Sequence, residues 1–263
     1  MSRPMQLLCL LIVLLFSSCG NKEQYTYAIK DFKRPLQPHL TNIVSKGIVM
    51  PENTALGNMA TGKELLQLSM SEHPVLRSSA FREMLTREAF DDFKILMDHL
   101  DDTAMVLTDA GEFGTSYRTV SDDLLMEAEW KTGEDRNKTI DEVLTRHNYL
   151  RSAYTILQQI PAQEKYYPFI KDMATRRRNY NEDSGERGFE DVEYALYGLA
   201  KFKKKEDIKI IKERLLENNF RMDELSFHLM REFPDTAYLE VFEEYCRYRF
   251  YRSFGGTGIR PKH

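Results

Sequence analysis

The chain has 263 residues, 42% hydrophobic and 30% charged, with 37 Lys and Arg against 41 Asp and Glu and a formal net charge of −4. This composition is typical of a folded globular chain long enough for one or two domains. Proteins that bind nucleic acid need a strong excess of Lys and Arg against the phosphates, so the charge balance disfavours a nucleic-acid partner.

Residues 1–18 have the pattern of a secretory signal peptide. Arg3 is their one charged side chain, and a nearly continuous apolar stretch runs from Met5 to Phe16. This stretch is too short to span a bilayer comfortably as a helix. We therefore expect residues 1–18 to be removed on export.

The segment Phe16-Ser17-Ser18-Cys19 resembles the lipobox of bacterial lipoproteins. In that family, small residues precede a cysteine whose thiol takes a diacylglyceryl group before the signal peptidase cuts in front of it. The resemblance implies lipid attachment at Cys19 and a membrane partner reached through the anchor, since each buried CH₂ of an acyl chain adds about 0.8 kcal/mol of membrane affinity. Phe16 stands where the family most often has Leu, and an ordinary secretory signal or an uncleaved signal anchor is the alternative.

The residues after Cys19 bear on the location of the anchored protein. Gly20 stands where enterobacterial lipoproteins of the inner membrane have Asp, and residues 21–24 resemble a short export tag of surface lipoproteins in Bacteroidota. The resemblance implies lipid anchoring at the bacterial outer membrane, on its periplasmic side or at the cell surface.

Cys246 would be the one cysteine of the processed chain besides the acylated Cys19, because Cys9 lies in the signal peptide. No internal disulfide is then possible. We expect Cys246 to be a buried helix residue rather than a nucleophile.

The mature chain is expected to have three parts. Residues 19–60 form a tether and N-terminal segment, since Pro and Gly interrupt their short apolar groups, with one helix around Leu40–Val49. Residues 61–252 form a helical domain, and residues 253–263 form a flexible tail.

Two long helices are predicted from apolar residues at helical spacing. Thr139–Ile160 carries one apolar face, including His147, and Pro161 ends it. Asp235–Ser253 begins with Asp235 as its cap. The predicted stripe of this second helix comprises Tyr238, Leu239, Phe242, Tyr245, Cys246 and Arg249.

An irregular internal repeat is present in four segments. Each has a small residue, an apolar residue four positions later, and further apolar residues 13, 16 and 20 positions later. This spacing describes a helix, a turn and a second helix, and stacking such pairs side by side buries stripes that one pair leaves exposed. A plain helical bundle is the alternative. The small residues are Ala80, Ala153, Ala195 and Ser226.

Gly62–Leu85 resembles a HEAT repeat, because Pro74, Val75, Arg77, Ala80 and Leu85 match the pattern that opens the second helix of that repeat. Residues 193–215 are similar but lack the proline and the arginine. The resemblance implies an all-α fold, an irregular HEAT-like α-α superhelix.

A β-hairpin inserted near residues 103–120 is predicted from two apolar, β-branched runs around the turn AGEFG. An irregular loop is the alternative. Ser121 would then cap a helix through Trp130 that ends at Gly133.

The sequence contains no HExxH metal motif, GxSxG nucleophile elbow or phosphate loop. It therefore predicts no catalytic residue, no cofactor, no metal ligand and no enzyme activity. One acidic cluster could bind a hard cation. Two basic groups could bind anionic lipid or an acidic partner. For both the acidic and the basic residues, the alternative is that they are solvated side chains at loops and helix ends. The acidic cluster is Asp98, Asp101, Asp102, Asp109 and Glu112, and the basic groups are Arg176–Arg178 and Lys203–Lys205.

The function predicted from these features is that of a lipid-anchored cell-envelope scaffold or adaptor whose α-solenoid surface binds a protein or peptide. One alternative is a carbohydrate-binding or hydrolytic accessory lipoprotein, in which Trp130, Tyr166 and Tyr167 stack on sugars. Another is a lipoprotein that confers immunity to a toxin.

Overall fold

The computed structural model describes residues 25–50, 54–87, 89–109, 114–128, 133–176, 188–217 and 224–253. These residues are predominantly helical, with a small three-stranded sheet. The prediction of an essentially all-α chain is therefore confirmed at this level. The helices are α1 (Gln37–Lys46), α2 (Thr54–Met59), α3 (Gly62–Leu68), α4 (Pro74–Leu85), α5 (Asp92–Asp98), α6 (Val120–Glu127), α7 (Gly133–Arg146), α8 (Arg151–Gln159), α9 (Tyr167–Thr175), α10 (Gly188–Ala200), α11 (Ile208–Glu217), α12 (Glu224–Glu232) and α13 (Leu239–Ser253), and the strands are β1 (Ile48–Val49), β2 (Met105–Asp109) and β3 (Thr115–Thr119).

The described residues divide into two compact units. The first unit contains the described residues up to Ile95 together with Ala104–Leu124, and the second contains Leu96–Thr103 and the described residues from Leu125 onward.

Helix α4 is the centre of the first unit. It packs against α1, α2, α3, β1 and β2, and it buries residues on all sides, including Leu76, Ala80 and Phe81. Pro74 stands in the first turn of α4, where its fixed φ suits a helix and its missing N–H costs nothing. The described residues between 25 and 60 include α1, β1 and α2, which lie against α4.

The predicted hairpin is present. Strands β2 and β3 pair antiparallel from Met105↔Thr119 to Asp109↔Thr115, and the residues between Asp109 and Gly114 lie outside the described residues. The sequence analysis did not predict the third strand, β1, which pairs parallel with β2 at Ile48↔Leu107. Two residues cannot show the alternating pattern by which a strand is recognised.

A buried ion pair ties three elements of the first unit together. Asp123 of α6 is fully buried and accepts a hydrogen bond from Arg82 Nη2 of α4 at 2.8 Å, with Arg118 Nη1 of β3 4.0 Å away. A buried carboxylate without its cation costs several kcal/mol, so this contact fixes α6 to α4.

The boundaries predicted for α6 are wrong. Its cap is Thr119, whose Oγ1 accepts from Asp122 N at 3.1 Å, rather than Ser121, whose hydroxyl contacts Thr119 Oγ1 at 3.1 Å. Both residues suit a cap, so the sequence alone does not choose between them. Gly133, with φ of +68°, begins α7 instead of ending α6, and Trp130 lies outside the described residues.

The second unit contains three successive helix pairs, α8–α9, α10–α11 and α12–α13. Helix α10 packs against α8, α9 and α12, and α11 packs against α9 and α13. A 3-10 turn leads into each second helix, at Glu164–Tyr166, Lys205–Asp207 and Thr236–Tyr238. The repeat spacing of the sequence corresponds to these pairs, and its small residues Ala153, Ala195 and Ser226 are buried.

The single helix predicted for Thr139–Ile160 is wrong, because α7 ends at Arg146 and α8 begins at Arg151. Asn148 explains the break. Its side-chain amide donates to Leu144 O at 3.2 Å, and Arg176 Nη2 donates to its Oδ1 at 2.6 Å. Both contacts hold Asn148 in the turn between α7 and α8.

The helix predicted for Asp235–Ser253 is present from Leu239 onward as α13, and Asp235 caps the 3-10 turn Thr236–Tyr238 that leads into it. Asp235 Oδ1 accepts from Ala237 N at 2.8 Å. The predicted stripe is partly wrong, since Tyr238 and Val241 are buried whereas Leu239 is 59% exposed and Cys246 is exposed. The buried face of this helix is therefore rotated away from the predicted one.

Candidate functional site

Cys19, the site residue predicted from the sequence, lies outside the described residues, which begin at Tyr25. The predicted signal peptide lies outside them as well, and so do residues 254–263 of the predicted tail. In the part of the chain that the structure describes, no helix has the length and apolarity needed to span a bilayer.

Tyr166 and Tyr167 are both occupied by contacts within the second unit. Tyr166 is 2% exposed, and its hydroxyl donates to Asp141 of α7. Lys165 pairs with the same carboxylate at 2.6 Å. The hydrogen bonds from Lys165 and Tyr166 lower the pKa of Asp141, while burial raises that of Tyr166. Tyr166 therefore joins the turn before α9 to α7 and offers no face to a sugar.

Tyr167 makes the same kind of contact with the next helix pair. Its hydroxyl donates to Asp207, with both carboxylate oxygens within 3.0 Å. Lys204 Nζ lies 3.5 Å above the centre of its ring, and the ring of Phe202 meets it edge-on at 5.2 Å. These two neighbours cover the ring, so Tyr167 is not an open stacking platform.

Asp207 is the buried carboxylate that accepts these hydrogen bonds. Its residue is fully buried, and besides Tyr167 it accepts from Lys171 Nζ of α9 at 2.8 Å. The hydrogen bond to Asp207 raises the pKa of Lys171, followed by its hydrogen bond to Tyr167. A charged lysine on α9 is thus matched to a buried carboxylate in the turn before α11.

Much of the predicted basic strip is neutralised by nearby carboxylates. Lys203 Nζ lies 3.2 Å from Glu232, and Lys204 Nζ lies 2.9 Å from Glu164. Arg176 pairs with Asp172, and Arg177 and Arg178 lie outside the described residues. The described residues therefore give little support to a strip that binds anionic lipid.

Lys201 makes a contact that sequence reasoning missed. Its ammonium donates to the carbonyl oxygens of Leu157, Gln158 and Ile160 at 2.8, 3.1 and 2.8 Å, at the C-terminal end of α8. Burial lowers the pKa of Lys201. A cation at the negative end of the helix dipole is favourable, and this contact fixes the end of α10 to α8.

His147 is the other residue that the sequence analysis interpreted differently, since it lies in the turn between α7 and α8. Its Nε2 lies 3.5 Å from Glu142 Oε1, and its Nδ1 lies 3.5 Å from Asp101 Oδ1 and 3.2 Å from Tyr149 Oη. No local signal links Asp101 to His147, because they are far apart in the chain.

The acidic cluster does not assemble into a metal site within the described ranges, which contain no group of three or more His, Cys, Asp or Glu placed to hold an ion. Asp101 faces His147, Asp102 is buried, and Asp109 closes the β2–β3 ladder. Glu112 lies outside the described residues.

An aromatic patch lies on the last helix pair. Phe227 of α12 is 44% exposed, and its ring centre lies 6.2 Å from that of Phe242 and 6.5 Å from that of Tyr245, both on α13. These three rings are called the aromatic patch below. Phe242 and Tyr245 are half-buried, and an exposed aromatic ring supported by such neighbours is common in protein interfaces.

The chain matches no protein-family model, no curated protein and no solved structure in the comparisons.

Proposed function

We propose that this chain is a lipid-anchored scaffold or adaptor of the bacterial outer membrane, acylated at Cys19, whose HEAT-like α-solenoid binds a protein or peptide. The observation that carries the proposal is the packing of the three helix pairs. First helices α8, α10 and α12 contact in order, and second helices α9, α11 and α13 contact in order. Contact between successive pairs along two rows is the arrangement expected of a solenoid.

The contacts between pairs give further support. Tyr167 and Lys171 of one pair meet Asp207 of the next, and Lys212 of α11 lies 2.8 Å from Glu240 of α13. Polar contacts of this kind hold neighbouring pairs in a fixed register. A fixed register is what a binding surface made from several pairs requires.

The aromatic patch is the surface proposed for the partner. It lies on the last described helix pair, where no further described pair follows. Aromatic side chains bury a large area at a small cost in conformational entropy, so a few of them carry much of the binding energy of an interface.

The sugar-binding alternative is less well supported, because Tyr166 and Tyr167 are engaged with Asp141 and Asp207. The immunity alternative differs in the identity of the partner, which the following experiment determines.

The partner is tested with purified processed protein crosslinked in envelope extracts, followed by mass spectrometry of the crosslinked peptides. We expect crosslinks to one defined protein near the aromatic patch, and their loss in Phe227→Ser. Tyr117→Ser is the matched control, because Tyr117 is 51% exposed on β3 and lies in the first unit. Equal loss in both variants, or crosslinks only elsewhere on the chain, would contradict a role for the patch. A toxin as the captured protein would favour immunity.

The anchor is tested by growing cells with a palmitate analogue. The wild type is expected to incorporate the label, and Cys19→Ala is expected to incorporate none. Protease treatment of intact cells then distinguishes the cell surface from the periplasmic side. Equal labelling of both forms would contradict acylation at Cys19.

A further inference from the structure

The first described residues are held against the turn between α3 and α4. Thr26 N and Tyr27 N donate to Met70 O at 3.0 and 3.3 Å. In return, Glu72 N and Ser71 Oγ donate to Tyr27 O at 3.1 and 3.0 Å. Four hydrogen bonds therefore fix the start of the described chain to the surface of the first unit.

Arg77 of α4 fixes the same turn from inside. Its residue is 3% exposed, its Nη1 donates to Ser71 O at 2.7 Å, and its guanidinium lies 3.9 Å from the centre of the Tyr25 ring. A buried guanidinium that stacks on an aromatic ring is worth more than an exposed one. Tyr25, the first described residue, is thereby attached to the folded unit.

From this attachment we propose that the first unit lies directly against the lipid headgroups of the leaflet that carries the anchor, with the surface around Tyr25, Thr26 and Glu72 facing the bilayer. The inference rests on the proposed acylation of Cys19. Five residues separate Cys19 from Tyr25. Fully extended, the chain from Cys19 to Tyr25 reaches about 20 Å.

Part of this reach lies within the membrane itself. The acyl chains begin at the boundary of the hydrocarbon core, and the headgroup layer outside it is about 6 Å thick on each side. At most about 14 Å then separates the headgroup surface from Tyr25. This separation between Tyr25 and the headgroup surface is less than two Debye lengths, since the Debye length at physiological salt is about 8 Å.

The size of the unit decides which surface faces the bilayer. A unit of roughly 90 residues has a radius of gyration of about 12 Å, hence a diameter of about 30 Å. The part of the Cys19–Tyr25 segment outside the headgroup layer, about 14 Å long, is too short to reach around the first unit. The surface opposite Tyr25 is therefore kept away from the bilayer, and Thr26 and Glu72, which are exposed next to Tyr25, face the headgroups.

The test uses energy transfer from a dye on the protein to a dye on the lipid. The full chain is expressed with Glu72→Cys and Cys246→Ser, so that position 72 carries the one free thiol after acylation of Cys19. The purified protein is reconstituted into phosphatidylcholine vesicles that contain a trace of acceptor-labelled lipid. Thr26→Cys in place of Glu72→Cys gives an independent second position.

The matched control has 20 Gly-Ser residues inserted after Gln24. A linker of this length has a root-mean-square span of about 25 Å, so it permits the unit to leave the surface. We expect energy transfer at position 72 to fall at least about twofold in the lengthened protein, given this added distance. Equal transfer in the two proteins would overturn the inference.

Labelling with the palmitate analogue separates this inference from the proposed function. A wild-type chain that is not labelled removes the anchor, and the inference falls with it. A labelled chain whose energy transfer does not depend on linker length leaves the lipoprotein assignment intact and overturns only the placement at the headgroups.

Discussion

The contact between Lys171 and Asp207 gives the sharpest test of how successive helix pairs are held together. In Lys171→Met, the fully buried Asp207 keeps the hydroxyl of Tyr167 but loses its cation. Removing one partner of a fully buried ion pair costs about 3–5 kcal/mol. Lys171 is 35% exposed, so solvent screens part of the interaction, and we expect the free energy of unfolding to fall by about 2 kcal/mol.

A double-mutant cycle measured by urea unfolding isolates the interaction itself. Asp207→Asn removes the buried charge, so adding Lys171→Met to it leaves no unpaired carboxylate. The double variant should then be more stable than the sum of the single effects predicts, by about 1–2 kcal/mol. Lys209→Met is the control, because Lys209 is 80% exposed and its ion pair within the described part of the chain is with Glu213 of its own helix. A surface change of this kind stays within about 0.5 kcal/mol. Additive effects of the two single substitutions would refute the coupling.

Three further predictions concern the second unit. Tyr238→Phe is expected to leave the urea midpoint unchanged or raise it, because the buried Tyr238 hydroxyl finds no hydrogen-bond partner among the described residues. Tyr167→Phe should instead lower stability by about 1–2 kcal/mol by leaving Asp207 short of a donor, and equal effects of the two substitutions would contradict this difference. Gly198→Leu is expected to destabilise the protein by about 1–3 kcal/mol and Gly198→Ala by much less. The reason is that a Cβ at Gly198 would already lie 3.3 Å from a side-chain carbon of α8. Calorimetry that finds Gly198→Leu as stable as wild type would exclude close packing at this position. Asp141→Asn should cost no more than about 1 kcal/mol at neutral pH, because Asp141 is half exposed. Since the pKa of Asp141 is lowered in the folded state, the difference in stability from wild type should be constant above about pH 5 and shrink as the pH falls through the folded pKa. A stability difference that persists at pH 2 would contradict a charge-based contact.

Burial at several apolar positions was readable from the sequence because helix packing obeys a fixed period. Ala195, Leu199 and Ile211 stand at predicted repeat positions and are fully buried. The rule failed in α13, where Leu239 and Cys246 are exposed. Aromatic and aliphatic residues occur on more than one face of that helix, so periodicity does not select which face is buried.

Element boundaries were less readable because they depend on contacts with distant residues. Asn148 ends α7 partly through Arg176, which comes from the end of α9. The choice of Thr119 over Ser121 as the cap of α6 depends on how the chain leaves β3. Local preference gives several acceptable boundaries in each case, and tertiary contacts select one.

The candidate functional residues divide in the same way, into those indicated by a local segment and those that depend on contacts between distant residues. Cys19 was predicted because acylation reads a short contiguous segment, which a sequence displays directly. The aromatic patch and the contact of His147 with Asp101 are formed by residues far apart in the chain, and no local motif indicates that these side chains meet.

Apolar stripes alone do not determine the order in which helix pairs stack, because two apolar helix faces pack against each other almost equally well in several registers. The polar contacts between pairs do distinguish these registers, since a misplaced pair leaves a buried carboxylate or ammonium without its partner. Asp207 meets Tyr167 and Lys171 only when α11 follows α9, and Lys201 reaches the carbonyl end of α8 only when α10 lies beside it. We infer that burial supplies most of the stability of the second unit and that these few polar contacts select one arrangement of its helices. A scaffold that presents a surface spread over several pairs needs that selection, because its partner binds side chains that only one arrangement brings together.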